Sequence, residues 1–274
     1  MTTPGTGLTS GTVRLANGYD MHRHEIGEGP VVVFIHGSGP GASGASNFRP
    51  NLAAFAAAGY RAVAPDLIGY GGSSKPTDVD YTLDLFVDTF VETLDRLEIE
   101  RCTLVGNSLG GAIAIRIALD RPKLVDKLIM MAPGGIETRE TYFAMPGIQR
   151  MVGGFTSEGF DEARMRAIVT NLVYDPACVT DALVAERFAV ARIQPKEVLS
   201  TMRVPDLTPR LGELTQPILG FWGLDDGFCP ASGAAKFLAA CPDVRFITFN
   251  KCGHWVMVER AEEFNRYALD FLGL

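Results

Sequence analysis

Short unbroken apolar runs alternate along the chain with amphipathic stretches. Residues 31–35, Val-Val-Val-Phe-Ile, show no polar alternation, which predicts a strand buried on both faces. Similar runs at 61–64, 102–105, 127–131, 217–222 and 244–249 predict further strands of the same kind. Ahead of them, 12–16 and 19–26 flank Asn17-Gly18 and predict a hairpin, the Asn-Gly pair supplying the positive φ angles of a two-residue turn. Helical periodicity is clearest over 82–99. There Leu83, Phe86, Val87, Phe90, Leu94 and Leu97 recur at three- and four-residue steps, with Asp84, Asp88, Glu92 and Asp95 between them. Further helices are predicted at 109–119, 160–172 and 179–192.

Strands alternating with helices imply an α/β fold with a mostly parallel sheet covered on both faces, and the hairpin adds antiparallel strands at one edge. The alternation breaks once, between residues 137 and 206, where helical patterns contain no buried strand. The expected division is a first core piece at 1–136, a helical lid at 137–206 and a second core piece at 207–274. No repeat or low-complexity tract interrupts it.

Composition narrows the function. The 274 residues are 47% hydrophobic and 21% charged, enough to bury a large core and unlike a disordered chain. A formal charge of -7 argues against nucleic acid as a partner, because phosphate binding needs a basic surface. No apolar run approaches the roughly 18 residues of a membrane span. The opening segment, 1–10, is polar rather than signal-like, so the expectation is a cytoplasmic protein without a membrane partner. Five cysteines, odd in number and without a C-x-x-C pair, read as reduced and mostly buried, with no metal or cofactor implied.

Candidate chemistry sits where apolar runs end. Gly106-Asn107-Ser108-Leu109-Gly110 follows one predicted strand and opens a helix, the setting of a nucleophile elbow that exposes Ser108. A serine hydroxyl needs a base, and the base an orienting carboxylate. Of four histidines, His22 and His24 lie two apart in the hairpin, a weak metal pair or simply surface, and His36 precedes the elbow. His254 follows the last apolar run and is taken as the base. The loop after the preceding strand offers both Asp225 and Asp226. The order serine, aspartate, histidine is that of α/β-hydrolases. The Gly-rich loop His36-Gly37-Ser38-Gly39-Pro40-Gly41 lets backbone amides approach a ligand, so the N–H groups of Ser38 and Leu109 are assigned to an oxyanion hole.

Together these motifs resemble the α/β-hydrolase superfamily and, more narrowly, the meta-cleavage product hydrolases of aromatic degradation. The narrower resemblance rests on the loop from His36 to Ala42 with Asn47 after it, on Asn107 before Ser108, and on Lys251-Cys252-Gly253-His254-Trp255 followed by Glu263-Phe264-Asn265. It covers both core pieces. In that family the aspartate stands four residues before the loop proline, Pro230, which selects Asp226. The resemblance also implies that Asn47, Asn107 and Arg187 contact the substrate carboxylate and its 2-hydroxyl or oxo group, with Gly39 and Trp255 beside them. Leu109 departs from the family, where methionine is frequent, although the backbone donor is the same.

The implied reaction is hydrolysis of a carbon-carbon bond in a 2-hydroxy-6-oxohexa-2,4-dienoate, a small anionic substrate, giving 2-hydroxypenta-2,4-dienoate and a carboxylic acid. The resemblance implies a homo-oligomer, a dimer being common. Two other classes share the fold: a carboxylesterase with the same triad, and a receptor that binds a small ligand under its lid.

Overall fold

Residues 7–156 and 159–273 are described by the structure, a computed structural model; residues 1–6, 157–158 and 274 lie outside it, and with them most of the polar opening segment. The core elements of the first part are β1 (Thr9–Arg14), β2 (Asp20–Ile26), β3 (Val31–Ile35), α1 (Gly44–Ala57), β4 (Arg61–Pro65), α2 (Leu83–Arg96), β5 (Cys102–Asn107), α3 (Leu109–Asp120) and β6 (Val125–Met131). Between β6 and the next strand come α4 (Arg139–Ala144), α5 (Pro146–Thr156), α6 (Glu162–Thr170), α7 (Asp181–Ala191) and α8 (Glu197–Ser200). The chain closes with β7 (Ile218–Gly223), α9 (Gly233–Ala240), β8 (Val244–Phe249), α10 (Val256–Glu259) and α11 (Ala261–Leu272).

The strands form one eight-stranded sheet in the order β1-β2-β4-β3-β5-β6-β7-β8, antiparallel at β1-β2-β4 and parallel from β4 to β8. Helix α1 packs with α10 and α11, and α2 packs with α3, so the sheet is covered by two helical groups. Every residue of β5 and β7 is buried, as unbroken apolar runs require of central parallel strands. No helix among the described residues is long and apolar enough to cross a membrane.

Three details depart from the sequence pattern. The hairpin forms, but its turn is wider: the Leu15 amide donates to Tyr19 O at 2.8 Å and the Gly18 amide to Leu15 O at 3.1 Å. Of the Asn-Gly pair only Gly18 has a positive φ, 86°, as in a three-residue loop closed by a left-handed glycine. Strand β8 is only partly buried, because it is the sheet edge and has a neighbour on one side alone. Helix α2 ends at Arg96 rather than residue 99. Glu98 turns left-handed at φ 54°, and the amides of Glu98 and Ile99 cap Asp95 O (3.1 Å) and Leu94 O (3.0 Å). That is a Schellman closure without its usual glycine.

The α4–α8 segment lies over the carboxyl ends of the parallel strands. Its α7 reaches the core through paired Arg49 and Glu186 (3.0 Å) and through Arg187, whose guanidinium donates to Pro40 O at 2.9 Å. Apart from one isolated bridge between Thr82 and Arg203, no strand pairing occurs in it among the described residues.

Candidate active site

Ser108 sits between β5 and α3 with φ 55° and ψ -118°, a backbone conformation that costs a non-glycine residue about 1–3 kcal/mol. Its surroundings fix it there. The Ser108 amide donates to Met131 O at 3.1 Å, and Ser108 O accepts from the amides of Gly111 (2.9 Å) and Gly134 (2.8 Å). The flanking glycines are required by close approach: a Cβ on Gly106 would lie 2.5 Å from Gly110 O, and one on Gly110 2.0 Å from Ile35 O. The turn therefore nests against β3, which brings the following loop alongside. Among the described residues neither the Leu109 amide nor the Ser38 amide has a hydrogen-bond acceptor, so both donors are free at the carboxyl ends of β3 and β5.

Asp226 and His254 come from the loops after β7 and β8. His254 Nδ1 lies 2.8 Å from Asp226 Oδ2, and both side chains are buried. Asp226 Oδ1 accepts from the amides of Phe228 (2.7 Å) and Cys229 (3.0 Å), so the carboxylate cannot swing away. Asp225 is exposed. The geometry thus separates the two aspartates. The Phe228 ring stacks on the imidazole at 5.0 Å and 29°.

The histidine loop is tied to the helical segment above it. Leu172 O accepts from the amides of His254 (2.9 Å) and Trp255 (3.1 Å). Glu259 bridges the same two pieces: Oε1 accepts from the Gly253 amide at 2.6 Å, and Oε2 from those of Tyr174 (2.7 Å) and Asp175 (3.1 Å).

Arg187 is the most unusual group of the site. It is fully buried, with Nη1 donating to Asn47 Oδ1 at 3.1 Å and Nε and Nη2 to Pro40 O at 3.2 and 2.9 Å. Its guanidinium lies 5.0 Å above the Trp255 ring. No carboxylate pairs with it among the described residues, since neighbouring Glu186 is taken by Arg49. Burial pulls its pKa down to about 10, and it remains a cation at neutral pH. Nearby, Asn107 donates to Met131 O at 3.2 Å while its Oδ1 is buried without a partner among the described residues.

Gly39, Ser38, Asn47, Asn107, Ser108, Arg187, His254 and Trp255 line one cavity of about 340 Å³ including its opening, and Asp226 stands behind His254. Leu109 lines a second, larger chamber of about 1510 Å³ including its open mouth, which shares Ser38, Ser108, Ile148 and Met151 with the first. Every residue given a catalytic, oxyanion or substrate-binding role from the sequence thus lies in or against one bipartite space. The residues missed there are mainly apolar: Ile148, Met151, Leu172 and Phe228. Only Phe228 carried a signal, its place two residues after Asp226.

The other histidines fall elsewhere. His36 Nε2 accepts from the Leu67 amide at 3.0 Å and Nδ1 donates to Gly37 O at 2.8 Å, while burial pulls its pKa down to about 4. It is a neutral strut under the Gly-rich loop. His22, His24 and Asp66 cluster, but the Asp66 oxygens already accept from the amides of Gly44 (2.7 Å) and Gly72 (2.8 Å) and from His22 Nδ1 (2.9 Å). With its lone pairs so committed, the carboxylate anchors loops. Four cysteines are buried and free, and Cys178 is partly exposed.

Residues 32–267 match the Alpha/beta hydrolase family. Among curated proteins, the chain is 36% identical over 264 residues to a 2-hydroxy-6-oxo-6-phenylhexa-2,4-dienoate hydrolase of Comamonas testosteroni, covering 92% of this chain and 91% of the relative. It is 35% identical over 263 residues to a 2-hydroxy-6-oxononadienedioate/2-hydroxy-6-oxononatrienedioate hydrolase of the same organism, covering 93% and 91%. A solved meta-cleavage product hydrolase from Pseudomonas fluorescens IP01 superposes with a TM-score of 0.84 at 29% identity, covering 96% of this chain and 97% of that one. Shared fold, shared length and sequence identity agree, and the chain belongs to the α/β-hydrolase family, in its branch of meta-cleavage product hydrolases.

Proposed function

We propose that this protein hydrolyses the C5–C6 bond of a 2-hydroxy-6-oxohexa-2,4-dienoate. The observation that carries the reading is Arg187: a fully buried cation with no carboxylate partner among the described residues, beside an Asn107 Oδ1 that has no partner there either, calls for an anion with a hydroxyl nearby. Left empty, each unmatched buried polar group costs about 1–3 kcal/mol. A neutral acyl ester would repay none of that. The names of the two curated relatives, both hydrolases of 2-hydroxy-6-oxo dienoates or dienedioates, support the same substrate class.

In this reading the carboxylate and 2-hydroxyl of the substrate sit in the small cavity against Arg187, Asn47 and Asn107, next to Gly39 and Trp255. Ketonisation of the dienol places an electron sink beside the C6 carbonyl. His254, oriented by Asp226, takes a proton from Ser108 or from the attacking water, and oxygen adds to C6. The Ser38 and Leu109 amides receive the negative charge on the C6 oxygen. The C5–C6 bond then breaks, its electron pair returning to the dienolate, and water ends up in the carboxylic acid. Residues 137–206 act as a lid on the core pieces 1–136 and 207–274. A homodimer belongs to the proposal on the strength of the family resemblance.

Turnover against a panel of 6-substituted dienoates and p-nitrophenyl esters tests the reaction. At least one dienoate is expected to exceed the esters by about a hundredfold in kcat/KM, the scale reached when a polar site loses its partner. Ser108→Ala should abolish turnover with the thermal transition unchanged. Intact dienoates alongside rapid ester cleavage would make the protein an esterase, and tight binding without turnover of either would make it a receptor.

A further inference from the structure

His22 and His24, which take no part in the catalytic cavity, lie two positions apart in β2, so both imidazoles stand on one face of the strand. Their rings meet edge to face with centroids 4.7 Å apart. Asp66, just after β4, completes the group: one ligand atom from each of the three residues lies within 4.8 Å of the others. The Asp66 carboxylate is buried and spent on the Gly44 and Gly72 amides and on His22 Nδ1, so it holds His22 in one tautomer. A proton on Nδ1 leaves the Nε2 lone pair of His22 for another partner. The backbone fixes the same arrangement, because the Asp66 amide donates to His22 O at 2.8 Å and the His22 amide to Ser73 Oγ at 2.9 Å. His24 makes no side-chain hydrogen bond among the described residues, and both histidines are partly exposed.

We propose that His22 and His24 bind a late first-row divalent cation, Zn2+ foremost, with Asp66 steering His22 from behind. Imidazole suits zinc, nickel and copper, whereas Mg2+ and Ca2+ demand oxygen ligands. A carboxylate on the far nitrogen of a metal-bound imidazole fixes its direction and raises its basicity, and that is how Asp66 meets His22. Zn–N bonds of about 2.0 Å put two ligating nitrogens about 3–4 Å apart, so a small turn of the unbonded His24 ring completes the pair. Water fills the remaining positions, which makes the site an exchangeable one rather than a closed four-ligand cage. Local charge favours the cation: of the carboxylates and guanidiniums acting on His24, Asp66 and Glu186 are anions and only Arg49 is a cation. Glu186 belongs to α7, which places the ion where the helical segment meets the core.

Calorimetric titration of the chelator-treated protein with Zn2+ tests the site. One ion per chain is expected to bind, with Mg2+ and Ca2+ silent at the same concentration. With free Zn2+ at about a hundredfold its Kd, the thermal transition should rise by about 3 °C or more. His24→Asn loses no hydrogen bond of the fold, so it should keep the metal-free transition while weakening Zn2+ binding by about tenfold or more. His22→Asn should weaken it as much. The partly exposed thiol of Cys178 is the rival ligand, and Cys178→Ser should leave the affinity within about twofold. Binding that survives His24→Asn, binding lost in Cys178→Ser, or no ion bound to the parent protein overturns the proposal. None of these outcomes depends on which substrate the enzyme cleaves.

Discussion

Asp226 holds His254 by one oxygen and the backbone by the other: Oδ2 lies 2.8 Å from Nδ1, and Oδ1 accepts from the amides of Phe228 and Cys229 at 2.7 and 3.0 Å. The carboxylate is thus rigid before it orients anything. Asp226→Asn should lower kcat by about a thousandfold or more, because an amide lets the imidazole settle in the wrong tautomer. Asp225→Asn, on an exposed side chain, should leave kcat within twofold. Steady-state kinetics of the pair check both, and the reverse ranking would remove Asp226 from the triad.

Arg187→Gln removes the buried cation but keeps a donor. On a dienoate, KM is expected to rise about tenfold to a hundredfold, the range for one lost charge-assisted hydrogen bond. On a p-nitrophenyl ester, which has no carboxylate, kcat/KM should change less than threefold. Equal losses on both substrates would mean that Arg187 serves the fold alone.

Glu259 joins three backbone amides from two segments, so its loss should be felt twice. Glu259→Ala is expected to destabilise the protein by about 3 kcal/mol, as hydrogen bonds to a charged acceptor are removed, and to lower kcat by loosening the His254 loop. Glu259→Gln should recover only part of either, since its amide NH2 turns a donor toward a donor. Thermal unfolding and kcat measured together decide it, and unchanged values in the alanine variant would show that Leu172 O alone secures the loop.

The pH dependence of stability follows from His36. Burial lowers its pKa from 6.5 to about 4, so between those values the unfolded chain takes up a proton that the folded one refuses. The stabilisation is complete above pH 6.5 and falls as pH drops toward 4. From pH 7 to 5 this amounts to about 2 kcal/mol. Half-buried His24, also lowered by burial, acts in the same direction. Urea titrations at the two pH values should show that loss, and His36→Asn should flatten it even though its stability at pH 7 is lower. A parent protein equally stable at both would contradict the assignment.

The sheet and the polar half of the site were legible because each rests on local chemistry. Buried parallel strands must be apolar on both faces, and a nucleophile elbow must have glycines where backbones touch. Other features depend on distant partners. Strand β8 reads like the central strands, and only its place at the edge exposes it. The end of α2 uses Glu98 where a glycine would have announced it. Periodicity found α6 and α7 but passed over α4 and α5, whose apolar side faces a chamber rather than a continuous core. The choice between Asp225 and Asp226 came from resemblance, since adjacent residues of one loop differ only in where the turn points them. The size of the larger chamber has no sequence signature, being the space left between side chains far apart in the chain.

The position of Ser108 between two unequal spaces would give the proposed reaction an order of product departure. In the proposed reaction the broken bond would leave the acid fragment in the larger chamber and the dienoate against Arg187 in the smaller cavity. Release through the larger chamber would send the acid out first and the dienoate after it. The dienoate product would then compete directly with substrate for the emptied enzyme, whereas the acid would trap the enzyme still holding its partner fragment. Slow release of the inner fragment, rather than bond cleavage, becomes the step that a tighter grip at Arg187 would prolong.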